Sequence, residues 1–207
     1  MRIGIDVDGV LTDIERYMWD YGAKYLMELG EEICIDHTQY YSSDVFGWDA
    51  NRDKLYWDEI FEDYSKQVDI RRFASDMIRK LKKDGHEIYI ITARGRVGEV
   101  TEKEKKKSNK MLEKWLKVNK VKYDKLIFTN EDKLSTCLEN EIEVMIEDSP
   151  NNIKQLSKKI PILCMHSSYN TKVRGKNIVR CHTWHEIYDK INRSTYKGGV
   201  ENEKTNN

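Results

Sequence analysis

Short apolar runs alternate with longer stretches of helical period along most of this chain. The runs at 2–7, 86–92, 125–129, 143–148 and 160–165, with a weaker one at 177–181, have the length and β-branched content of buried strands. Between them, apolar residues recur every three or four positions over 73–84, 98–118, 132–140, 149–158 and 184–193, which predicts helices. Strands and helices alternating at this spacing predict right-handed βαβ units, and so an α/β fold with a central parallel sheet flanked by helices.

Residues 14–72 interrupt the alternation. The segment is crowded with Tyr and Trp, and helices are predicted over Glu15–Leu29, where Gly30 ends the pattern, and over Asp53–Tyr64. It reads as a helical cap inserted after the first strand, with 1–13 and 73–193 forming the core. Most cap aromatics are expected to pack against one another: Tyr17, Tyr21 and Tyr25 recur at intervals of four. Trp19, Tyr41 and Trp48 are the candidates to face a ligand. The stretch 194–207 turns to Gly, Asn, Lys and Glu and is expected to be a disordered tail.

Charge narrows the partners. The 207 residues carry 36 basic and 36 acidic side chains, so no net field draws the protein to nucleic acid or an anionic membrane. The lysines of 103–107 lie among glutamates and read as a solvated helix face. No apolar run is long enough to span a bilayer, and the strand end at Asp6 leaves no room for a signal peptide. Cys34, Cys137, Cys164 and Cys181 are scattered without metal-ligand spacing, which suits reduced thiols in the cytoplasm. His182 and His185, three apart, lack a third ligand and read as structural.

The chemistry gathers at the carboxyl ends of the predicted strands, the edge at which open parallel sheets bind ligands. Asp6 and Asp8 end the first strand. Two acids this close raise each other's pKa, a cost that a divalent cation removes; Mg²⁺ takes one or two carboxylates, waters and a substrate phosphate. One of the pair could then attack phosphorus while its neighbour moves protons. Thr92 ends the second strand, where a hydroxyl and the N–H groups after it can cradle a phosphoryl oxygen. Arg94, two residues on, suits phosphate, a ribose or an acid. Lys133 opens the helix after the third strand, announced by Glu131-Asp132, and can neutralise both nucleophile and phosphate. Glu147 and Asp148 end the fourth strand and offer further metal ligands, with Pro150 suited to a first helical turn.

In this order the four strand ends resemble the haloacid dehalogenase-like (HAD) superfamily. The resemblance implies a Rossmann-like core and an aspartyl-phosphate mechanism. Asp6 is its nucleophile and Asp8 its general acid and base. Thr92 and Lys133 hold the phosphoryl group, while Mg²⁺ is bound by Asp6, the backbone carbonyl of Asp8 and Asp148, with Glu147 as a second acidic ligand or a partner behind them. The acid at Asp8 favours phosphatases and mutases over dehalogenases, and the insertion between Asp8 and Thr92 corresponds to a cap of the first type. The runs Ile3-Gly4-Ile5-Asp6-Val7-Asp8-Gly9, Glu131-Asp132-Lys133, Ile146-Glu147-Asp148-Ser149-Pro150-Asn151-Asn152-Ile153 and Trp184-His185-Glu186-Ile187-Tyr188 are most similar to the 5′(3′)-deoxyribonucleotidase-like branch. The chain departs from that branch at Glu147, where its studied members carry Asp, and at Val10, where many carry Thr. The branch implies a small phosphate ester as substrate, a nucleoside monophosphate held by aromatic cap residues, and allows a homodimer. The alternatives are a phosphatase or phosphomutase of phosphosugars, or a module that binds phosphate ligands without turnover.

Overall fold

Each predicted strand forms, trimmed by one or two residues at an end. The computed structural model describes residues 1–95, 100–129 and 132–196. Its strands are β1 (Arg2–Ile5), β2 (Glu87–Thr92), β3 (Lys125–Phe128), β4 (Val144–Glu147), β5 (Ile162–Met165) and β6 (Ile178–Cys181). They pair in parallel in the order β3-β2-β1-β4-β5-β6. The order reverses direction beside β1, and such switch points open a crevice at the carboxyl ends of the strands.

Side chains alternate between the two faces of the sheet, and both faces are covered, so the strands read as apolar runs rather than alternating ones. Ile3, Ile5, Ile88, Ile90, Val144, Ile146, Leu163 and Met165 point to one face. There they meet α4 (Ala74–Lys83), α5 (Glu102–Val118) and α8 (Trp184–Asn192). Tyr89, Ile91, Met145, Ile162 and Cys164 point to the other, against α6 (Lys133–Glu139) and α7 (Pro150–Leu156). Gly4 lies on that second face: a Cβ there would stand 2.5 Å from the Met145 sulfur, so the missing side chain lets β4 pack closely. The first four positions of the predicted 98–118 helix include residues 98 and 99, which lie outside the described residues, as does Glu131. Tyr196, assigned by sequence to the tail, is instead buried in the larger core cluster; an aromatic ring outweighs the polar composition around it. Residues 197–207 of that expected tail lie outside the described residues.

Residues 14–67 hold three helices: α1 (Ile14–Glu28), α2 (Ser42–Phe46) and α3 (Ala50–Gln67). Asp49 caps α3 by accepting the Arg52 N–H at 2.8 Å, so the helix begins earlier than its apolar period suggests. The short α2 has too few residues to show a period. These helices enclose their own core of Met18, Leu26, Val45, Phe46, Trp48, Tyr56 and Ile60. The two chain segments joining this unit to the sheet lie side by side. Thr12 and Ile70 form an antiparallel bridge, and Arg71 N–H donates to the Leu11 carbonyl at 2.7 Å. The Trp115 indole of α5 donates to the Val68 carbonyl at 2.7 Å, tying the return segment to the core. None of the described helices is long and apolar enough to cross a membrane.

Candidate active site

The site grows from the loop after β1. Asp6 N–H still donates to the Ile146 carbonyl at 3.1 Å, so its position is fixed by the sheet. Beyond it the chain turns sharply, with Leu11 and Thr12 N–H both donating to the Val7 carbonyl at 2.9 and 3.0 Å. Gly9 makes the turn possible: its φ is +78°, and a Cβ on it would stand 2.0 Å from Asp148 Oδ2.

Lys133 reaches this loop from α6. Asp132 caps that helix by accepting the Ser135 N–H at 2.9 Å, which sets Lys133 in the first turn. Its ammonium lies 2.9 Å from Asp6 Oδ1 and 3.0 Å from Glu147 Oε1, all three groups being buried. Glu147 also accepts the Asp148 N–H at 2.9 Å and the Asn152 side-chain amide, so both its oxygens are engaged. Asp148 accepts the Tyr169 hydroxyl through Oδ2, while its buried Oδ1 has no hydrogen-bond partner among the described residues. Asn170 steadies this turn by donating to the Asp148 carbonyl at 2.9 Å.

Asp6, Glu147 and Asp148 have carboxylate oxygens within 4.8 Å of one another. Burial pushes Asp6 up to about 8 against the pull of Lys133, with Glu147 and Asp8 adding to the rise. Asp148 is raised too, by burial first and then by Glu147 and Asp6. Burial also opposes ionised Glu147, yet its pKa falls below the usual range because Lys133 and two further donors, the Asp148 N–H and the Asn152 amide, hold the charged form. Burial likewise disfavours charged Lys133, but Asp6 and Glu147 raise its pKa. Three buried carboxylates thus gather where one ammonium pairs with only two of them, Asp6 and Glu147. A hard divalent cation, which takes oxygen ligands, fits both the surplus of negative charge and the unpartnered Asp148 oxygen.

Asp8 faces the cap side of the loop. Arg94 donates to it through Nε, 3.1 Å from each oxygen, and through Nη2, and the Tyr64 hydroxyl donates to the same carboxylate. Of the partners open to Arg94 in the sequence, the structure therefore gives it an acid. Thr92 is buried, and its hydroxyl accepts the Arg94 N–H at 3.1 Å.

The three cap candidates divide. Trp48 is 8% exposed and stacks on Phe46 at 4.4 Å in the core of the cap, so it does not face a ligand. Large aromatics supply most of the area this small core can bury, and Trp48 serves that need. Trp19 packs edge-on to His37 at 4.3 Å. Tyr41 is exposed at the rim, its hydroxyl accepting from Asn151 at the start of α7 at 3.2 Å. His182 and His185 do not share a helix face: His182 precedes α8 opposite His166, and His185 lies beside Phe73.

Sequence reasoning missed Tyr40, Tyr64, Tyr169 and Asn170. Tyr40 and Tyr169 meet edge to face at 5.1 Å beside Asp148. The 3₁₀ turn Ser168–Asn170 that follows β5 carries Tyr169 and Asn170, and the loop after a fifth strand end was the available signal. Nothing in the period of α3 marks Tyr64 as reaching the core.

Known proteins resemble this chain along most of its length. A nucleotidase of Clostridium acetobutylicum is 26% identical over 196 residues, spanning 93% of this chain and 94% of its own. Among solved structures, a protein described as a predicted phosphatase from the same organism aligns with a TM-score of 0.61 at 15% identity, over 93% of this chain and 98% of its own. A haloacid dehalogenase-like family hydrolase of Streptococcus pneumoniae has the same score at 14% identity, over 92% and 97%. At such identities the two structures establish the fold. The profile of the family described as 5′ nucleotidase, deoxy (pyrimidine), cytosolic type C protein (NT5C) matches residues 1–196. With that match spanning both core and cap, the chain belongs to this family of HAD-fold nucleotidases, hydrolases of phosphoric monoesters.

Proposed function

We propose that the protein is a Mg²⁺-dependent 5′-nucleotidase acting on nucleoside or deoxynucleoside monophosphates through an aspartyl-phosphate. The observation that carries this reading is the buried Asp6 carboxylate, 2.9 Å from Lys133 and clustered with Asp148, with Asp8 two residues away.

In this mechanism an Asp6 oxygen attacks phosphorus, and Asp8 gives a proton to the departing oxygen. Asp8 then takes a proton from water as water attacks the aspartyl-phosphate. Lys133 holds the nucleophile and offsets charge on the phosphoryl oxygens, with Glu147 keeping the ammonium in place, and the Thr92 hydroxyl is assigned to hold a phosphoryl oxygen. Asp6 and Asp148 would hold the cation, with the Asp8 carbonyl, and Glu147 stands behind them because its oxygens are already engaged. A bound Mg²⁺ supplies the positive charge that lets Asp6 ionise at neutral pH and stabilises charge on the transferring group. The half-buried Tyr40 and Tyr169, with Tyr41 at the rim, offer rings on which a base can stack, a contact worth about 1–3 kcal/mol. Four free cysteines, three of them buried, support a cytoplasmic setting.

The test is phosphate release with Mg²⁺ or EDTA from ribo- and deoxyribonucleoside 5′- and 3′-monophosphates, sugar phosphates and p-nitrophenyl phosphate. Mg²⁺-dependent release concentrated on nucleotides is expected. Release from sugar phosphates alone rejects the nucleotide reading and keeps the catalytic core. No release from any ester rejects hydrolysis.

A further inference from the structure

The Tyr64 hydroxyl, to which the mechanism above gives no part, stands at the centre of a cluster with Asp8, Thr12 and Arg94. Tyr64 belongs to α3 of the cap and is 2% exposed, yet its side chain reaches the core. Its hydroxyl donates to Asp8 Oδ1, lies 2.9 Å from Thr12 Oγ1 and accepts from Arg94 Nη2 at 3.1 Å. The Arg94 guanidinium carbon sits 4.8 Å from the centre of its ring. Thr12 is itself fixed, taking the Gly9 N–H at 3.3 Å.

The donors on Asp8 are unevenly divided. Among the described residues, Oδ1 receives the Tyr64 hydroxyl and both Arg94 nitrogens, whereas Oδ2 receives only the shared Arg94 Nε at 3.1 Å. A carboxyl proton sits on the oxygen less committed to donors. The clamp therefore leaves Oδ2 to carry it and fixes the plane in which it points.

We propose that Tyr64 is a positioning residue for the acid–base work of Asp8, so that a side chain of the cap completes the proton-transfer apparatus of the core. The proposal rests on the reading of Asp8 as acid and base given above. In the first step Asp6 oxygen bonds to phosphorus. The bond to the leaving oxygen breaks, that oxygen keeps the electron pair, and it takes the proton from Asp8 Oδ2. In the second step the water oxygen bonds to phosphorus, its proton passes to Asp8, and the bond to Asp6 breaks. Tyr64 and Arg94 neither gain nor lose a proton; they hold the carboxyl in line.

A proton matters most when the leaving group is a poor one, which separates this role from a merely structural one. The experiment compares kcat/KM for dUMP, phenyl phosphate and p-nitrophenyl phosphate in the wild type, Tyr64→Phe, Arg94→Lys, Asp8→Asn and the double variant Tyr64→Phe/Asp8→Asn, with melting temperatures recorded. Asp8→Asn is expected to lower the phenyl to p-nitrophenyl ratio, and Tyr64→Phe to lower it by about tenfold, a fraction of the effect of a whole acid–base group. The double variant should be no worse than Asp8→Asn alone, because the tyrosine acts through the aspartate. If Tyr64→Phe folds and leaves the ratio unchanged while Asp8→Asn shifts it, the proposal is overturned and the acid assignment stands. If Asp8→Asn itself leaves the ratio unchanged, Asp8 is not the acid and both readings fall. Should Tyr64→Phe not fold, Arg94→Lys decides: it keeps the charge but loses the fork, so a shifted ratio supports the clamp and an unshifted one overturns it. A wild type that ignores dUMP but hydrolyses the aryl esters removes the nucleotide reading alone, and the phenyl pair still decides.

Discussion

Asp6 is asked to be buried, ionised and close to two other carboxylates at once, and its neighbours make that tolerable. Lys133 offsets one charge, while Glu147 spends its own charge on keeping Lys133 there. Replacing Asp6 with Asn keeps the shape, removes the nucleophile and relieves the like-charge contact. Turnover should fall below detection, while the melting temperature in EDTA should not drop; retained wild-type turnover would mean that Asp6 is not the nucleophile. Gly9 is the other residue with no substitute. Gly9→Ala meets a left-handed backbone, a penalty of about 1–2 kcal/mol, and drives a methyl group into Asp148. Both the melting temperature and the affinity for Mg²⁺, measured by titration calorimetry, should fall together. A variant that loses stability but keeps full Mg²⁺ affinity would separate the turn from the metal cluster.

Among the elements, the helices of the cap fit closely against one another. Gly22 on α1 lies against the ring of Phe46 from α2, and a Cβ at Gly22 would stand 2.0 Å from that ring. Gly22→Ala is an overpacking change expected to cost about 1–3 kcal/mol. Because the cap has its own core, hydrogen exchange should quicken across 14–67 while the strands keep their protection; equal loss everywhere would show that cap and sheet unfold as one. The same contrast explains what was legible in the sequence. The strands were readable because both faces of the sheet are covered, so Ile3, Ile5, Ile88 and Ile90 fall in plain apolar runs. The cluster of Asp6, Lys133 and Asp148 could be anticipated because strand ends and the first turn of the next helix are marked positions. The cap's inner surface was not. A buried Trp48 and a rim Tyr41 have the same local sequence character, and only tertiary packing separates them. Tyr64 was invisible for a related reason: in α3 it occupies an ordinary packing position, and its function comes from what the core places opposite its hydroxyl.

For the whole molecule, stability is linked to pH and cation. The folded-state pKa of Asp6, about 8, lies above the ordinary value for an aspartate. Its contribution to stability is therefore full below the ordinary carboxylate range and is lost as pH rises through about 8. In EDTA the melting temperature should decline over that window. Saturating Mg²⁺, which binds the ionised carboxylates, should flatten the decline, adding about 2.7 kcal/mol at a hundredfold excess over Kd. A melting temperature at pH 8 that does not respond to Mg²⁺ would contradict the cation site. A last consequence lies in the bridge between Thr12 and Ile70. The chain departs from the catalytic core and rejoins it at adjacent points that are already hydrogen-bonded to each other. Closing that loop therefore asks nothing of the insert's length, since closure entropy grows only slowly with loop size. Such a junction works as a graft point, at which one inserted helical unit can be exchanged for another of different size while the sheet stays as it is.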